Sequence, residues 1–255
     1  MFIDTHAQLL DKPFDIDRDA VLLRAAEKGV HNFIEIGWEP AIWEDTLKFS
    51  ETHKNVFCAL GVHPHDINKA DERTLERLFS LLVNPRVKGV GETGLDYHYN
   101  ELPRELQKKH FIKHILFAKD LSKPLIIHCR DAYSDLIPIV SQHYDGSKPA
   151  GVAHCFTGDL NEAKTMIELG FLIGIDGPVT YPSAKMLKEV VAGIPLEKIL
   201  LETDCPYLPP QAFRGKRNEP AYLTYIAEEI AKIKNVSVET VADITSENAV
   251  KLFGL

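Results

Sequence analysis

The chain alternates two textures eight times, and this alternation limits the folds open to it more than any other feature. Short runs rich in β-branched residues are each followed by a stretch of helical character. The predicted strands are Met1–Asp4, His31–Gly37, Val56–Val62, Val87–Glu92, Pro124–His128, Gly151–His154, Phe171–Asp176 and Lys198–Thr203. The predicted helices cover residues 17–29, 40–53, 71–83, 103–121, 131–144, 159–169, 183–193 and 219–234. Strands that alternate with helices indicate βαβ units and a parallel sheet.

Eight such repeats in 255 residues predict an α/β fold, a single (β/α)8 TIM barrel, rather than an open doubly wound sheet. A final amphipathic segment, Ser237–Phe253, predicts one or two additional C-terminal helices. We therefore expect residues 1–255 to form one domain. In barrels of this kind the functional groups gather at the C-terminal ends of the strands, so these positions are the candidates for catalysis.

The overall composition argues against several classes of protein. The formal net charge of -8 disfavours a general nucleic-acid coat, which needs net positive charge. The N-terminus lacks the basic and apolar segments of a signal peptide, and no apolar run approaches the ~20 residues of a membrane span. The four cysteines show no CxxC spacing and suggest no disulfide framework. The expectation is a cytoplasmic protein without a membrane partner.

Imidazole and carboxylate groups stand at the C-terminal ends of six predicted strands. These residues are His6, His63, Glu92, His128, His154 and Asp204. Each one alone is most simply a polar strand terminus, but the whole set describes one shared metal site. Imidazole combined with carboxylate suits Zn, Mn or Ni, whereas Mg prefers oxygen ligands. Glu92 lies near the middle of the series, and the glycines that flank it allow a close approach of the backbone to a ligand.

Three cysteines directly follow candidate ligands, at positions 129, 155 and 205. Successive side chains point to opposite faces of a strand, so the neighbour of an inward ligand points outward. We therefore predict that Cys129, Cys155 and Cys205 are small packing residues and not metal ligands.

Seven short motifs, taken together, resemble the TatD family of metal-dependent deoxyribonucleases, within the amidohydrolase superfamily. The resemblance covers the whole chain. The motifs are Asp4-Thr5-His6-Ala7-Gln8, Gly61-Val62-His63-Pro64-His65, Gly91-Glu92-Thr93-Gly94-Leu95-Asp96-Tyr97, Ile127-His128-Cys129-Arg130-Asp131-Ala132, His154-Cys155-Phe156-Thr157-Gly158, Glu202-Thr203-Asp204-Cys205-Pro206-Tyr207-Leu208 and Arg214-Gly215-Lys216-Arg217-Asn218-Glu219-Pro220.

The resemblance implies two divalent cations per chain. The implied ligands are His6, Gln8, Glu92, His128, His154 and Asp204. Glu92 would bridge the two cations, one held with His128 and His154 and the other on the side of the first strand. Asp204 would also orient or deprotonate the attacking water, so Glu92 and Asp204 are the implied catalytic residues.

The sequence departs from the family pattern at one implied ligand. The family's His-x-His after the first strand stands here as His6-Ala7-Gln8. A glutamine amide oxygen is a weaker ligand for Zn-type metals than imidazole. We therefore expect this cation to be held weakly, to be a harder ion, or to be absent until substrate binds.

Cationic residues near the same strand ends are candidates for phosphate contact. Arg214, Lys216 and Arg217 follow the eighth strand, and three cations within four residues can neutralise phosphates. Arg130, two residues past His128, suits the same task. The alternative for Arg214, Lys216 and Arg217 is a solvated basic loop without a role in binding.

Histidines and aromatic residues extend the set of candidate substrate contacts. His63 and His65 could transfer a proton or hydrogen-bond a phosphate. Tyr97 or Phe156 could stack on a base as in single-strand binders, although an aromatic at this position is as often simple packing. Asp176 is a further carboxylate without an assigned role.

Three functions fit these features. The first is a nuclease that cleaves DNA phosphodiester bonds exonucleolytically, acting on a single strand or an end. The second is a hydrolase of another ester, such as a D-aminoacyl-tRNA, or of a cyclic amide. Many cyclic-amide sites use a modified lysine where this chain has Glu92, which disfavours that version. The third is a non-catalytic binder of metal or nucleic acid, with Gln8 as a sign of decay, but the retained ligands speak against it.

Overall fold

The computed structural model describes residues 1–98 and 103–255, in which eight parallel strands form a nearly closed barrel. The strands are β1 Phe2–Ala7, β2 Val30–Gly37, β3 Val56–Leu60, β4 Val87–Asp96, β5 Leu125–Arg130, β6 Gly151–Ala153, β7 Phe171–Ile175 and β8 Ile199–Leu201. They pair in chain order. A single parallel bridge between Ala7 and Cys205 links the two edges of the sheet.

Helices follow the strands and cover the outside of the barrel. They are α1 Arg18–Glu27, α2 Trp43–Thr52, α3 Glu72–Leu82, α4 Arg104–Asp120, α5 Tyr133–Ser141, α6 Leu160–Glu168, α7 Lys185–Gly193, α8 Leu223–Lys234 and α9 Val238–Phe253. The predicted (β/α)8 fold is confirmed, and the predicted C-terminal addition is one helix, α9. These helices are all too short or too polar to span a bilayer, a finding restricted to residues 1–98 and 103–255.

The interior of the barrel is filled by aliphatic side chains. They are Ile3, Ile34, Ile36, Ala59, Ile126, Val152 and Leu200, and all are buried. Helix α9 adds Ala249, Leu252 and Phe253 to this cluster, and its Asn248 side chain donates to the carbonyls of Leu196 and Ile199. Because these carbonyls lie at the start of β8, α9 covers the N-terminal end of the barrel and leaves the opposite end for a site.

Helix α9 has clear stop and start signals in the sequence. The Ser237 side chain accepts the backbone N–H of Thr240 at 3.1 Å, as an N-cap does. Gly254 ends the helix in the left-handed region at φ 61°, where glycine is favoured. The helix is therefore a defined element and not a frayed tail.

Strand lengths differ from the sequence prediction where the site is built. Strand β4 continues to Asp96, four residues past Glu92. Strands β6 and β8 stop at Ala153 and Leu201, so His154 and Asp204 stand on the turns that follow. The difference determines which side chains reach the site, because strand alternation applies to β4 and not beyond β6 or β8.

Candidate metal centre

The C-terminal end of the barrel carries a compact cluster of imidazoles and carboxylates. Strands β1, β4 and β5 supply His6, Glu92 and His128, and the turns after β6 and β8 supply His154 and Asp204. The side chains of His6, Glu92 and His154 are at most 5% exposed, and those of His128 and Asp204 are 18% and 13% exposed. Five of the six implied ligands thus lie together, next to Gln8.

Glu92 lies between two groups of histidines. Its Oε2 atom is 3.4 Å from Nε2 of His6. Its Oε1 atom is 2.9 Å from Nδ1 of His128, 3.9 Å from Nε2 of His154 and 3.7 Å from Nε2 of His63. One carboxylate therefore presents separate oxygens to separate imidazoles.

Asp204 faces the same space from the turn after β8. Its Oδ1 atom lies 3.7 Å from the Nε2 atoms of both His6 and His154. The Gln8 amide nitrogen donates to the same oxygen at 3.4 Å. The backbone N–H of Asp204 donates to the His6 carbonyl at 2.9 Å, so the turn after β8 is fixed to β1.

Two buried carboxylates, Asp96 and Glu202, hold the outer nitrogens of two histidines. Nε2 of His128 lies 3.0 Å from Oδ2 of Asp96, and Nδ1 of His154 lies 2.8 Å from Oε2 of Glu202. Sequence reasoning gave neither residue a role. The signal for Asp96 was present, because it is four residues past Glu92 on β4, a spacing that returns a side chain to the same face of a strand. Glu202 lies past the end of β8, where this alternation gives no signal.

Glu202 fits because Gly174 on β7 has no side chain. A Cβ atom added at Gly174 would lie 2.2 Å from Oε2 of Glu202, which is closer than a non-bonded carbon and oxygen can approach each other. Glu202 also accepts the backbone N–H of Cys155 at 3.0 Å. The glycine therefore makes room for a carboxylate that orients the turn after β6.

Hydrogen bonds determine the charge states of Glu92 and His128. Burial by itself would raise the pKa of Glu92, but the hydrogen bond from His128 and the His6 and His63 rings close by outweigh it and hold this pKa well below its usual value. Burial would lower the pKa of His128, yet hydrogen bonds to Asp96 and Glu92 raise it to about 9. An ionised Glu92 and a protonated His128 therefore form a charged pair in the cluster.

The surrounding carboxylates lack such compensation. Burial raises the pKa of Asp204 well above its ordinary value, and it raises that of Glu202 to about 7 and that of Asp176 to about 6. A group of buried carboxylates that resists ionisation is an unfavourable arrangement unless a cation is close.

The residues fit divalent cations. His6 is fully buried, and neither ring nitrogen makes a hydrogen bond to any described residue. Its Nε2 atom instead faces one oxygen each of Glu92 and Asp204, at 3.4 and 3.7 Å. Ligand atoms bound ~2 Å from one metal lie roughly 3–4 Å from each other. The unsatisfied imidazole and the spacing of its neighbours match a metal ligand better than a packing residue.

A cavity of about 600 Å³ opens over the cluster. Three residues predicted to contact substrate line it: His63, His65 and Arg130. Nε2 of His65 lies 3.1 Å from Oδ2 of Asp96, the carboxylate that also holds His128. Burial lowers the pKa of His63 to about 3, so this ring is neutral at physiological pH.

The other predicted contacts lie elsewhere in the described structure. Tyr97 is 8% exposed, donates its hydroxyl to Asp135 at 2.8 Å and has the Arg104 guanidinium 4.1 Å from its ring centre. Phe156 is buried and packs on Tyr133. Both aromatics are packing residues, and neither belongs to the described cavity lining.

The basic run after β8 divides into two parts. Arg217 makes two hydrogen bonds to Asp17, at 2.7 and 2.8 Å, and lies over the Phe14 ring. It ties the turn to the start of α1, and its expected phosphate contact stays a prediction. Arg214 and Lys216 are exposed, with Arg214 stacked 4.7 Å from the centre of the Tyr181 ring. All three lie outside the described cavity lining.

One of the three cysteines does not point away from the cavity as strand alternation predicted. Cys129 and Cys205 are buried packing residues. Cys129 and Cys155 both line the cavity, but only Cys155 of these two is partly exposed, and its Sγ lies within 4.8 Å of ligand atoms of His154 and Asp204. Whether Cys155 binds metal stays a prediction. The alternation argument fails here because β6 has already ended and Cys155 adopts the left-handed region at φ 42°.

The fold and the cluster together define a metal-dependent hydrolase built on a (β/α)8 barrel. The chain belongs to the TatD family, because the family model described as TatD related DNase matches residues 3–254. It is 39% identical over 254 residues to the uncharacterized metal-dependent hydrolase YabD of Bacillus subtilis, covering 99% of each chain.

Two further relatives agree with this assignment. The 3'-5' ssDNA/RNA exonuclease TatD of Escherichia fergusonii is 34% identical over 257 residues, covering 99% of this chain and 98% of the relative. The crystal structure of YJJV, a TatD homolog from Escherichia coli K12, superimposes with a TM-score of 0.94 at 31% identity. That match covers 100% of this chain and 98% of the other. The resemblance inferred from the motifs is thereby confirmed.

Proposed function

We propose that this protein is a nuclease that hydrolyses phosphodiester bonds at the end of single-stranded DNA, using two divalent cations. The position of Glu92 carries the proposal. Its Oε2 faces His6 and its Oε1 faces His128 and His154, so one carboxylate can contact two adjacent cations. Gln8 and Asp204 complete the side of His6.

The chemistry divides between the cations and the chain. Bound divalent cations would act as Lewis acids on the phosphate and lower the pKa of an attacking water. Asp204 is our candidate to receive the proton, since it lines the cavity and its Oδ1 atom lies among the candidate metal ligands, 3.7 Å from the Nε2 atoms of His6 and His154. The water oxygen bonds to phosphorus, the bond from phosphorus to the leaving sugar oxygen breaks, and the proton that passes to Asp204 is returned to that leaving oxygen.

The second layer supports this arrangement without entering the bond exchange. Asp96 and Glu202 hold the outer nitrogens of His128 and His154. Carboxylates in this position orient metal-binding histidines and increase their basicity. Arg130, His63 and His65 line the cavity where the non-bridging phosphate oxygens of a substrate would lie.

The choice of a nucleic-acid substrate draws on one relative. The Escherichia fergusonii protein is named a 3'-5' ssDNA/RNA exonuclease and aligns with almost the whole chain. The cavity itself is rich in carboxylates, so a polyanion can enter only when cations neutralise it. We therefore expect DNA binding as well as turnover to require metal.

The test is turnover of defined substrates by the purified protein loaded with Mg, Mn, Zn or Ni. Linear single-stranded, duplex and circular single-stranded DNA separate exonuclease from endonuclease action, and a charged tRNA and a dihydropyrimidine test the other hydrolase classes. We expect stepwise shortening of linear single strands and none of circles. Elemental analysis of the same samples gives metal identity and number. Turnover of only the tRNA or the dihydropyrimidine would contradict the proposal.

A further inference from the structure

The cavity over the cluster has an apolar side as well as a charged floor. Trp38, Pro178, Tyr207 and Leu208 line it together with the metal-binding candidates, and we call these four residues the apolar wall. Tyr207 is 51% exposed and Leu208 is 36% exposed. Large apolar side chains that stay exposed in a cavity indicate a surface that a ligand covers.

Tyr207 is fixed relative to the cluster. Its backbone N–H donates to the Asp204 carbonyl at 2.9 Å, and its own carbonyl accepts from the buried Asn218 side chain at 2.7 Å. Its hydroxyl donates to Asp11 at 2.6 Å. The ring is thus held by contacts at both ends, three residues from the candidate proton acceptor, so it is positioned before any ligand arrives.

Leu208 is held just as firmly. It adopts the left-handed region at φ 48°, which is unfavourable for a leucine, and its carbonyl packs against Gly177 after β7. A Cβ atom at Gly177 would lie 2.0 Å from this carbonyl oxygen. The sequence therefore keeps a strained leucine at the mouth and a glycine that permits it, which is typical of a functional surface.

Charge determines which part of a nucleotide fits this wall. Arg130 is the single Lys or Arg among the described lining residues, whereas Asp66, Glu92, Asp96 and Asp204 all contribute carboxylates. Beyond the metal-binding cluster, the cavity therefore offers few cationic groups to a second phosphate of the substrate. A base is neutral, flat and apolar on its faces, and aromatic side chains stack on it without sequence preference.

We propose that the apolar wall binds the base of a nucleotide that flanks the scissile phosphate, with Tyr207 as the stacking residue. The inference rests on the proposed nuclease function and names the substrate contact that this function lacks. Tyr207 takes the stacking role that the sequence analysis considered for Tyr97 and Phe156, which are both buried outside the cavity lining.

The test compares protein variants on matched oligonucleotides. Three single-stranded DNA substrates are intact, abasic at the last nucleotide, or abasic at the second-last nucleotide. The variants are Tyr207→Ala and Tyr207→Phe, with Tyr225→Ala as control because Tyr225 packs on Phe213 in an aromatic cluster outside the described cavity lining. Turnover is measured on each, and equilibrium binding is measured with phosphorothioate versions that resist hydrolysis.

We expect Tyr207→Ala to raise the KM of intact DNA roughly 10-fold or more, as the loss of one stacked base does. One of the abasic substrates should show no such change, and its position identifies the bound base. Tyr207→Phe should recover most of the loss, because it retains the ring, and Tyr225→Ala should match wild type.

The two measurements separate the two proposals. If Tyr207→Ala weakens intact and both abasic DNAs equally, the ring acts on the scaffold and base stacking is wrong while the nuclease stands. If binding depends on the base but no metal supports turnover, the nuclease is wrong and the wall stands. If the metal-loaded protein neither binds nor cleaves DNA, both proposals fail.

Discussion

The Nε2 atom of His128 lies 3.0 Å from Oδ2 of Asp96, while the Nδ1 atom of the same ring lies 2.9 Å from Glu92. His154 is held in the opposite sense, with Nδ1 2.8 Å from Glu202 and Nε2 toward the cluster. A carboxylate that accepts one ring N–H leaves the other nitrogen for a metal. The two histidines therefore present different nitrogens to the same small space.

This relationship gives the first prediction. Asp96→Asn should lower metal affinity by roughly 10- to 100-fold, because an amide no longer fixes the His128 ring or increases its basicity. Isothermal calorimetry with Zn or Mn measures the change, and Glu202→Gln should act in the same way through His154. Asp131→Asn is the control, since Asp131 is 64% exposed and pairs with His98 at the surface. Unchanged affinity in Asp96→Asn would remove the proposed role of the outer carboxylates.

Glu92→Ala should abolish turnover and leave the barrel folded. The two oxygens of Glu92 face His6 and His128, so its removal takes one candidate ligand from each of the two proposed cations. Its removal also takes one of two carboxylates from the protonated His128, so we expect a lower melting temperature, while the aliphatic interior of the barrel keeps the fold. Turnover assays with a metal series and circular dichroism melting check the two statements. Near-normal turnover in excess metal would contradict the two-cation mechanism.

The sequence predicts the barrel because each of its eight strands carries its own apolar run. These strands are buried on both faces, and such runs need no distant partner to be recognised. Glu92, His128 and His154 could be found for the same reason, since each marks the end of a run. The sequence did not predict the residue at which each strand ends. Strand β4 runs on to Asp96, and this extension determines which carboxylate reaches His128.

The features that the sequence did not predict share one physical cause, because the conformation of a loop after a strand depends on distant contacts and not on a residue periodicity. Arg217 pairs with Asp17, a residue 200 positions away, and no local pattern indicates that partner. Cys155 enters the cavity because the chain turns into the left-handed region just after β6. Tyr207 was overlooked for the same reason, because its exposure depends on how the turn after β8 is anchored.

The pair of Asp17 and Arg217 predicts a pH dependence of stability. A hydrogen bond from Arg217, more than any other contact, lowers the pKa of Asp17 to about 2. The folded pKa lies below the unfolded value of about 3.9, so the stabilisation is complete above about pH 5 and is lost as the pH falls toward 2. Asp17→Asn should lower the free energy of unfolding by about 1 kcal/mol at pH 7.

Urea denaturation at pH 7, 5 and 3 measures this dependence. The difference between wild type and Asp17→Asn should be constant from pH 7 to 5 and smaller at pH 3. Asp15→Asn is the control, because Asp15 is 60% exposed and pairs with Arg18 at the surface. A difference that stays constant down to pH 3 would show that the Asp17 carboxylate does not act through its charge.

Arg214 and Lys216 are the part of the basic run that remains available for DNA. Replacing both with alanine should raise KM, leave kcat unchanged and flatten the salt dependence of binding by about one unit of slope for each lost phosphate contact. Fluorescence anisotropy over a salt series measures the slope. Lys251→Ala is a matched control at the opposite end of the barrel, on α9. If the salt dependence of binding keeps its slope, the loop is a solvated surface that does not contact phosphate.

Gln8 gives the last prediction. Its side chain lies beside Asp204 on the His6 side of the cluster, where the family pattern has a second histidine. Imidazole binds Zn- and Mn-type ions better than an amide oxygen does, so the His128 side should hold its cation tightly and the His6 side weakly. Gln8→His should tighten the weak site, lower the metal concentration that gives half-maximal rate and shift preference away from Mg. Calorimetric and kinetic metal titrations of both proteins measure this, and Gln8→Ala tests whether the amide oxygen binds at all. If wild type already binds two equivalents with equal, tight affinity, the asymmetry is wrong and Gln8 is either a competent ligand or no ligand.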